Sequence, residues 1–167
     1  FFLNGKTNVS YTCLDRHLET KGDQTTIIWE GNEPGEDKES TYKELHAEVS
    51  KFANVLKNNC VKKGDRVTIY MPMIPELAIA MLACTRIGAI HTIVFGGFSA
   101  DSLRGRVEDS TSKVVVCTDE LLRGKKAVPM KDTVDKACEG LNFVEKVIVF
   151  KRTGANVPMT SGRDVWW

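Results

Sequence analysis

The chain has 167 residues, enough for one domain with a buried core. Its 42% hydrophobic and 27% charged residues are ordinary for a soluble globular protein. Lys and Arg number 23 against 22 Asp and Glu, so the net charge is +1. Because nucleic acids and membrane surfaces usually attract a basic excess, neither is expected as a partner, and an anionic ligand must be held by a local cluster.

The cysteines and histidines have no spacing typical of metal ligands, so no metal site is expected. The five cysteines are Cys13, Cys60, Cys84, Cys117 and Cys138. An odd number without close pairs indicates buried, reduced thiols and a cytoplasmic location. The start at Phe1 does not resemble a signal peptide. The most apolar stretch, 71–83, contains two prolines and Glu76, so it is not expected to span a membrane.

The first part of the chain predicts a surface turn and a capped helix. The polar run 32–37 is typical of a turn in a hairpin. Thr41 and Glu44 have capping-box spacing, in which the Thr side chain accepts from an early helix N–H and the Glu reaches back. Apolar residues then recur at helical spacing from Leu45 to Leu56, which predicts the helix.

From residue 66 onwards, strand and helix patterns alternate. A strand is predicted over 66–70, a helix begins at Pro75, and Gly88 lies where a left-handed C-terminal residue belongs. The run 89–95 predicts a strand that is apolar on both faces and buried, and Ser99 can cap the next helix.

Two more strands, 113–117 and 144–150, flank a helix predicted over 130–138. This alternation implies βαβ units, so the fold class is α/β, with a largely parallel sheet and helices on both faces. Ligands of such sheets bind beyond the carboxyl ends of the strands. The turns to consider are therefore 71–75, 95–99 and 118–126.

The first candidate site is the turn Phe95-Gly96-Gly97-Phe98-Ser99. Adjacent glycines at a strand end let the backbone approach a ligand closely, because no Cβ stands in the way. The helix that Ser99 begins would favour an anionic or polar group. Taken alone, the pattern fits at least as well a tight turn that needs positive φ angles.

The second candidate is the basic turn Arg123-Gly124-Lys125-Lys126. Arg can stack on a purine while donating hydrogen bonds, and Lys supplies a point charge to a phosphate. Three cations in four residues suit a phosphorylated nucleotide better than a bare carboxylate. On composition alone, a solvated basic turn is the more economical interpretation.

Other polar residues suggest no catalytic centre. Asp119 is interpreted as a loop or cap residue, His91 as a hydrogen-bonded core histidine, and Trp29 as a core residue. A Ser/Thr/Gly-rich loop ending in Lys, which would hold the phosphates of ATP, is missing from the sequence. No catalytic residue is therefore assigned.

Seven short runs resemble, in this order, the acetate–CoA ligases (AMP-forming acetyl-CoA synthetases) of the adenylate-forming acyl-CoA synthetase superfamily. They are CLDRHL at 13–18, IIWEG at 27–31, YMPM at 70–73, MLAC at 81–84, IGA at 87–89, FGGFS at 95–99 and GRD at 162–164. The resemblance covers essentially the whole chain. It implies a ligase that forms acetyl-CoA from acetate, ATP and coenzyme A through an acetyl-adenylate, with magnesium.

The resemblance also implies roles for the two candidate turns. The matching loop of that family binds the adenine and the 3′-phosphate of coenzyme A, so Arg123 would stack on the adenine and Lys126 would meet the phosphate, with Gly124 and Lys125 between them. The turn formed by Phe95, Gly96 and Gly97 would flank the coenzyme. Lys126 stands where bacterial members have Arg, and Lys cannot give a two-pronged contact to phosphate.

The same resemblance implies that residues 1–167 are a partial N-terminal domain, whose adenylation motifs and C-terminal domain are absent and whose partner is the rest of its polypeptide. We therefore expect the isolated chain to be inactive. Aromatic residues at both ends favour an excerpt of this kind. The alternatives are an autonomous α/β module that binds coenzyme A or a nucleotide without chemistry, and a purely structural domain.

Overall fold

The computed structural model describes residues 3–167, so the aromatic pair Phe1 and Phe2 lies outside the described residues. A short helical segment comes first, comprising α1 (Val9–Cys13), a 3₁₀ turn (Asp15–His17) and α2 (Leu18–Lys21). The remaining elements, in chain order, are β1 (Thr25–Glu30), β2 (Asp37–Thr41), α3 (Tyr42–Asn58), β3 (Arg66–Met71), α4 (Pro75–Ile87), β4 (Ile90–Phe95), α5 (Ala100–Ser110), β5 (Val114–Thr118), β6 (Glu120–Arg123), β7 (Lys126–Pro129), α6 (Met130–Cys138), β8 (Lys146–Phe150) and β9 (Asp164–Trp166).

A five-stranded parallel sheet with the order β4-β3-β5-β8-β9 organises the fold. Two antiparallel hairpins, β1–β2 and β6–β7, lie outside it. The alternation of strands and helices thus produces the predicted largely parallel sheet, and the polar run 32–37 joins the two strands of a hairpin as predicted.

Helices cover the two faces of this sheet, as predicted. Along the central strand β5, Val114 and Val116 belong to the core cluster formed with α3 and α4. Val115 and Cys117 point the other way and belong to the cluster formed with α5 and α6. Every residue of β5 is buried, so the strand is packed on both faces between the two core clusters. This packing holds the carboxyl end of the sheet in place.

Local signals place the helix ends where the sequence predicts them. Thr41 accepts from the backbone N–H of Glu44, and the Glu44 carboxylate accepts in return from the backbone N–H of Thr41 at 2.8 Å, which completes the capping box. Pro75 begins α4, and Gly88 ends it with a φ of 74°. Because that left-handed conformation strains most side chains, glycine fits the position.

The prediction of a buried strand over 89–95 is wrong in one respect. The strand forms, but β4 lies at an edge of the described sheet, and Ile90, Ile93 and Phe95 are 55%, 46% and 60% exposed. His91 is accordingly half-buried instead of lying in the core, and burial lowers the pKa of its imidazole. The apolar run predicts a strand correctly, but it does not distinguish an edge from the middle of the sheet.

The sequence did not predict strand β9 or the charged side chains that hold it in place. The side chains of Lys131 of α6 and Asp164 of β9 are both fully buried, and Lys131 Nζ lies 2.8 Å from Asp164 Oδ2. Asp135 lies 2.7 Å from the same ammonium, and Arg163 pairs with both carboxylates. A charged network therefore joins the edge of the sheet to α6.

The cysteines divide into two groups. Cys84, Cys117 and Cys138 are buried, as predicted, whereas Cys13 and Cys60 are exposed, so the prediction is wrong for these two. Cys13 is the last residue of α1, and Cys60 lies in the turn after α3 with a φ of 63°. Both stand at helix ends, where packing is incomplete.

Within residues 3–167, none of the helices has the length and apolar character that crossing a membrane requires.

The two C-terminal tryptophans differ in their packing. Trp167 stacks on Phe52, with ring centroids 3.5 Å apart, and meets Phe150 edge-on. The ring of Trp167 therefore finds its partners within this chain, whereas Trp166 is 44% exposed.

Candidate coenzyme-binding cavity

A cavity of about 660 Å³ opens at the carboxyl ends of β3 and β4. The segments that line it are 29–32, 71–74, 93–97 and 121–124, together with Leu77 and Arg152. Its position agrees with the rule that ligands of a parallel α/β sheet bind beyond the carboxyl ends of the strands. The size is within the range of pockets that take organic ligands, and most of the lining side chains are apolar.

The glycine turn after β4 forms one wall, and Tyr70 of β3 supports it from the core. The buried Tyr70 hydroxyl lies 2.8 Å from the carbonyl oxygen of Phe98 and 3.2 Å from that of Gly96, so it can donate to either. Burial raises the pKa of the Tyr70 phenol, so the hydroxyl keeps the proton it donates. Ser99 then begins α5 by accepting from the backbone N–H of Ser102.

Space, and not backbone conformation, accounts for the two glycines. Seven glycines have positive φ angles, and neither Gly96 nor Gly97 is among them. The alternative interpretation, a turn that needs positive φ, is therefore wrong for this pair. A Cβ on Gly97 would lie 2.6 Å from Cε1 of Phe95, and one on Gly96 would lie 3.3 Å from Cε of Met130. The glycines thus let the Phe95 ring and the turn pack closely.

The basic turn 123–126 is the tip of the β6–β7 hairpin, where the sequence predicted a loop. Arg123 pairs with Lys126 across the hairpin, and Gly124 has a φ of 56°, as at the first central position of a type II′ turn. All four residues are exposed. The hairpin form escaped prediction because each of its strands has only four residues.

The structure brings part of the predicted site together. Phe95, Gly96 and Gly97 line the same cavity as Arg123 and Gly124. Lys125 and Lys126 complete the turn but do not belong to the described lining. Both are exposed at the tip of the hairpin, where their ammonium groups are available to a part of a ligand that extends out of the cavity.

The β1–β2 hairpin supplies a wall that the sequence did not predict. Trp29, which the sequence pattern suggested to be a core residue, lines the cavity. Its Nε1 donates to the carbonyl of Met73 at 2.8 Å. Asn32 Nδ2 donates to the carbonyl of Gly124 at 3.4 Å, which links the two hairpins. Arg152 also lines the cavity, with its guanidinium 5.2 Å from the centroid of the Trp29 ring. The predicted turn 32–37 was the one available signal for this wall.

Asp119 organises the loop that carries Arg152, in line with its interpretation as a loop residue. Its fully buried carboxylate accepts from the backbone N–H groups of Glu120, Arg152, Thr153, Gly154 and Ala155. Burial raises the pKa of this carboxyl, but the N–H donors outweigh burial and lower the pKa below its ordinary value of 3.8. The charged form therefore fixes the loop at neutral pH.

A metal site does not emerge from the part of the chain that the structure describes. Within residues 3–167, no group of three or more His, Cys, Asp or Glu side chains converges in a way that could hold an ion. The cavity itself contributes Arg123, Arg152 and Glu30 as charged lining residues. Its chemistry thus favours a ligand with an anionic part and an apolar part.

Comparison with known proteins decides the family. A family model described as "AMP-binding enzyme" matches residues 14–164. The chain belongs to the AMP-binding enzyme family. This membership agrees with the resemblance that the sequence motifs indicated.

Curated acetyl-coenzyme A synthetases match the chain along its whole length. It is 58% identical to an acetyl-coenzyme A synthetase of Desulfatibacillum aliphaticivorans, 60% identical to one of Methylorubrum populi and 58% identical to one of Vibrio cholerae. Each match covers 100% of this chain and 26% of the relative. The chain therefore spans about a quarter of the length of these relatives.

A solved structure of another CoA synthetase has the same fold over the length of this chain. The acetoacetyl-CoA synthetase from Streptomyces lividans matches with a TM-score of 0.86 at 28% sequence identity. The match covers 96% of this chain and 24% of that protein. The predicted α/β fold class is confirmed, as is its assignment to the adenylate-forming synthetases.

Proposed function

We propose that residues 1–167 are part of the N-terminal domain of an AMP-forming acetate–CoA ligase and contribute coenzyme A-binding residues to it. One observation supports this proposal above all others. In a chain 58% identical to acetyl-coenzyme A synthetases, the glycine turn at Phe95–Gly97 and the basic turn at Arg123 line one cavity at the carboxyl end of a parallel sheet.

The lining of the cavity suits the two halves of coenzyme A. Its nucleotide end carries an adenine and phosphates, and its pantetheine arm is uncharged, with methyl and methylene groups between its amides. We assign Arg123 to the adenine and Lys126 to the 3′-phosphate, because an exposed Arg can stack on a purine and an ammonium outside the cavity can reach a peripheral phosphate. Gly124 and Lys125 shape the tip, and Phe95, Gly96 and Gly97 flank the arm.

The chemical reaction belongs to the whole ligase in this proposal. Acetate and ATP form an acetyl-adenylate and pyrophosphate, and the thiol of coenzyme A then attacks the adenylate and releases AMP. This chain would contribute no catalytic residue. Magnesium would arrive with ATP at the remaining part of the polypeptide, since the described residues offer no cluster of ligands for it. The free thiols of the chain support a reducing, cytoplasmic location.

Calorimetric titration with coenzyme A tests the binding role. It is best done on the complete polypeptide that carries residues 1–167. We expect Arg123→Ala to weaken binding about tenfold or more, because it removes a stacked cation. Arg16→Ala is the matched control, since Arg16 is exposed and lies outside the described lining. Unchanged affinity in Arg123→Ala would refute the assignment of this turn.

A second measurement tests the division of labour. The isolated 167-residue chain is expected to catalyse no acetate-dependent exchange between ATP and pyrophosphate. Exchange by the isolated chain at a rate near that of the complete polypeptide would place the adenylating centre within residues 1–167, and the proposal would then be wrong.

A further inference from the structure

Arg152 is a cation of the cavity to which neither the sequence motifs nor the proposed function gives a role. It follows β8 at the carboxyl end of the sheet and lines the same cavity as Arg123. Its side chain is only 22% exposed, and its guanidinium lies 5.2 Å from the centroid of the Trp29 ring. An Arg in this position presents N–H donors to the cavity while its flat face is covered by the indole.

The loop of Arg152 is fixed before any ligand binds. The backbone N–H of Arg152 donates to Asp119 Oδ1 at 2.8 Å, and the N–H groups of the three residues that follow donate to the same buried carboxylate. A charged acceptor with several backbone donors holds the chain in one conformation. Binding at Arg152 would therefore cost little ordering of the backbone.

Glu36 is the acidic group that faces this guanidinium, and the pair is loose. Arg152 Nη2 and Glu36 Oε2 are 3.6 Å apart, which is longer than a good hydrogen bond. The same Glu36 oxygen accepts from the backbone N–H of Asn32 at 3.1 Å, and its side chain is 37% exposed. Partly exposed ion pairs of this kind contribute little stability, so a better acceptor can replace Glu36.

The position of Arg152 relative to the basic turn indicates which group it meets. Lys125 and Lys126 lie outside the described lining, whereas Arg152 lies within it. Arg152 adjoins the β1–β2 hairpin, which also contacts the basic turn through the hydrogen bond from Asn32 to Gly124. In coenzyme A, the diphosphate stands between the adenosine, with its 3′-phosphate, and the uncharged pantetheine arm. A cation that lines the cavity, and so does not stand with Lys125 and Lys126 at the exposed tip, suits that middle part of the ligand.

We propose that Arg152 binds the diphosphate of coenzyme A, which displaces the Glu36 carboxylate from the guanidinium. This inference rests on the proposed function, because it assumes that the cavity receives the coenzyme. It adds two residues to the site: Arg152 as a binding residue, and Glu36 as an internal competitor that occupies the guanidinium when the cavity is empty.

Two ligands that differ by one phosphate test the proposal in calorimetry on the complete polypeptide. Coenzyme A and 3′-dephospho-coenzyme A share the diphosphate, and only the first has the 3′-phosphate. We expect Arg152→Gln to weaken both ligands by a similar factor of about ten or more, because a charge-assisted contact is lost from both. Lys126→Gln should weaken coenzyme A alone, and Arg152→Lys should retain part of the affinity for both.

Glu36→Gln supplies a readout that a merely structural role of the pair would not give. Loss of the competing carboxylate should strengthen both ligands, whereas loss of a structural ion pair would leave them unchanged or weaken them. Arg106→Gln is the matched control, because Arg106 also lies over an aromatic ring, that of Phe98, but outside the described lining. Its affinities should equal those of the wild type.

The outcomes separate this inference from the proposed function. If the wild type binds coenzyme A but Arg152→Gln leaves both affinities unchanged, the role of Arg152 is wrong and the proposed function stands. If Arg152→Gln weakens coenzyme A alone, Arg152 contacts the 3′-phosphate and the assignment to the diphosphate is overturned. If the wild type binds neither ligand, the proposed function fails and this inference fails with it.

Discussion

The hydroxyl of Tyr70 lies 2.8 Å from the carbonyl oxygen of Phe98, and this hydrogen bond joins strand β3 to the glycine turn of the cavity. Tyr70 is 1% exposed, so water does not compete for the contact. The turn is thereby fixed by a residue that faces the core between the sheet and α5–α6 and does not line the cavity.

Removal of this hydroxyl should loosen the turn. We expect Tyr70→Phe to lower the free energy of unfolding by about 1–2 kcal/mol, because the carbonyls of Gly96 and Phe98 lose their donor. Affinity for coenzyme A should fall as well, since the wall at Gly96 and Gly97 is no longer held. Urea unfolding and calorimetry measure the two effects. Tyr11→Phe is the control, because Tyr11 is 59% exposed; equal effects in both variants would contradict the role of Tyr70.

A methyl group on Gly97 should act on the cavity more than on the fold. The added Cβ would lie 2.6 Å from the Phe95 ring, so the ring must move within the lining. We expect Gly97→Ala to weaken coenzyme A about tenfold in calorimetry. Gly105→Ala is the matched change in an exposed part of α5, where a Cβ would have no neighbour within 4 Å. That variant should keep its affinity and gain about 0.5–1 kcal/mol in unfolding free energy.

The buried pair Lys131–Asp164 should be costly to break from one side. In Lys131→Met the carboxylate of Asp164 stays buried and loses its ammonium partner, although Arg163 remains beside it. We expect a loss of about 3 kcal/mol or more in urea unfolding. Lys136→Met changes an exposed residue of the same helix and should cost almost nothing. A small loss in Lys131→Met would mean that Arg163 alone compensates the charge.

Asp119 should make stability depend on pH in the acidic range. The pKa of its carboxyl is lower in the folded chain than its ordinary value of 3.8, so the contribution is fully present above that value. The contribution is lost as the pH falls from 3.8 through the folded pKa, because the unfolded chain then binds the proton more readily. Asp164 and Asp15 also have lowered pKa values and act in the same direction.

The variant Asp119→Asn isolates the contribution of this one carboxylate. The difference in unfolding free energy between wild type and variant should be large at about pH 6 and shrink towards about pH 3. Urea unfolding at several pH values measures it. A difference that does not change with pH would show that folding leaves the pKa of Asp119 unshifted, and the role of its charge in fixing the loop would then be wrong.

Local signals predicted much of the fold. The capping box at Thr41, the start of α4 at Pro75 and the left-handed Gly88 each depend on neighbours within one or two helical turns. Such features can be deduced from sequence because the atoms that satisfy them are close along the chain. The βαβ alternation then leaves few arrangements for the sheet.

Apart from the short β6–β7 hairpin, the main features that escaped prediction depend on distant parts of the chain. Strand β9 has three residues, and its position depends on Lys131 of α6, which no periodicity reveals. Trp29 and Arg152 meet only because the β1–β2 hairpin lies beside the carboxyl end of β8. The two candidate turns were found by composition, but their meeting in one cavity, and the exclusion of Lys125 and Lys126 from its lining, needed the three-dimensional structure.

The three buried thiols can report local unfolding of the elements that contain them. Cys13 and Cys60 are exposed and should react with an alkylating reagent at once. Burial raises the pKa of Cys84 to about 12 and that of Cys138 to about 11, and it raises the pKa of Cys117 in the central strand as well. The labelling rate of these three thiols should therefore measure how often each layer of the fold opens, strand β5 last of all.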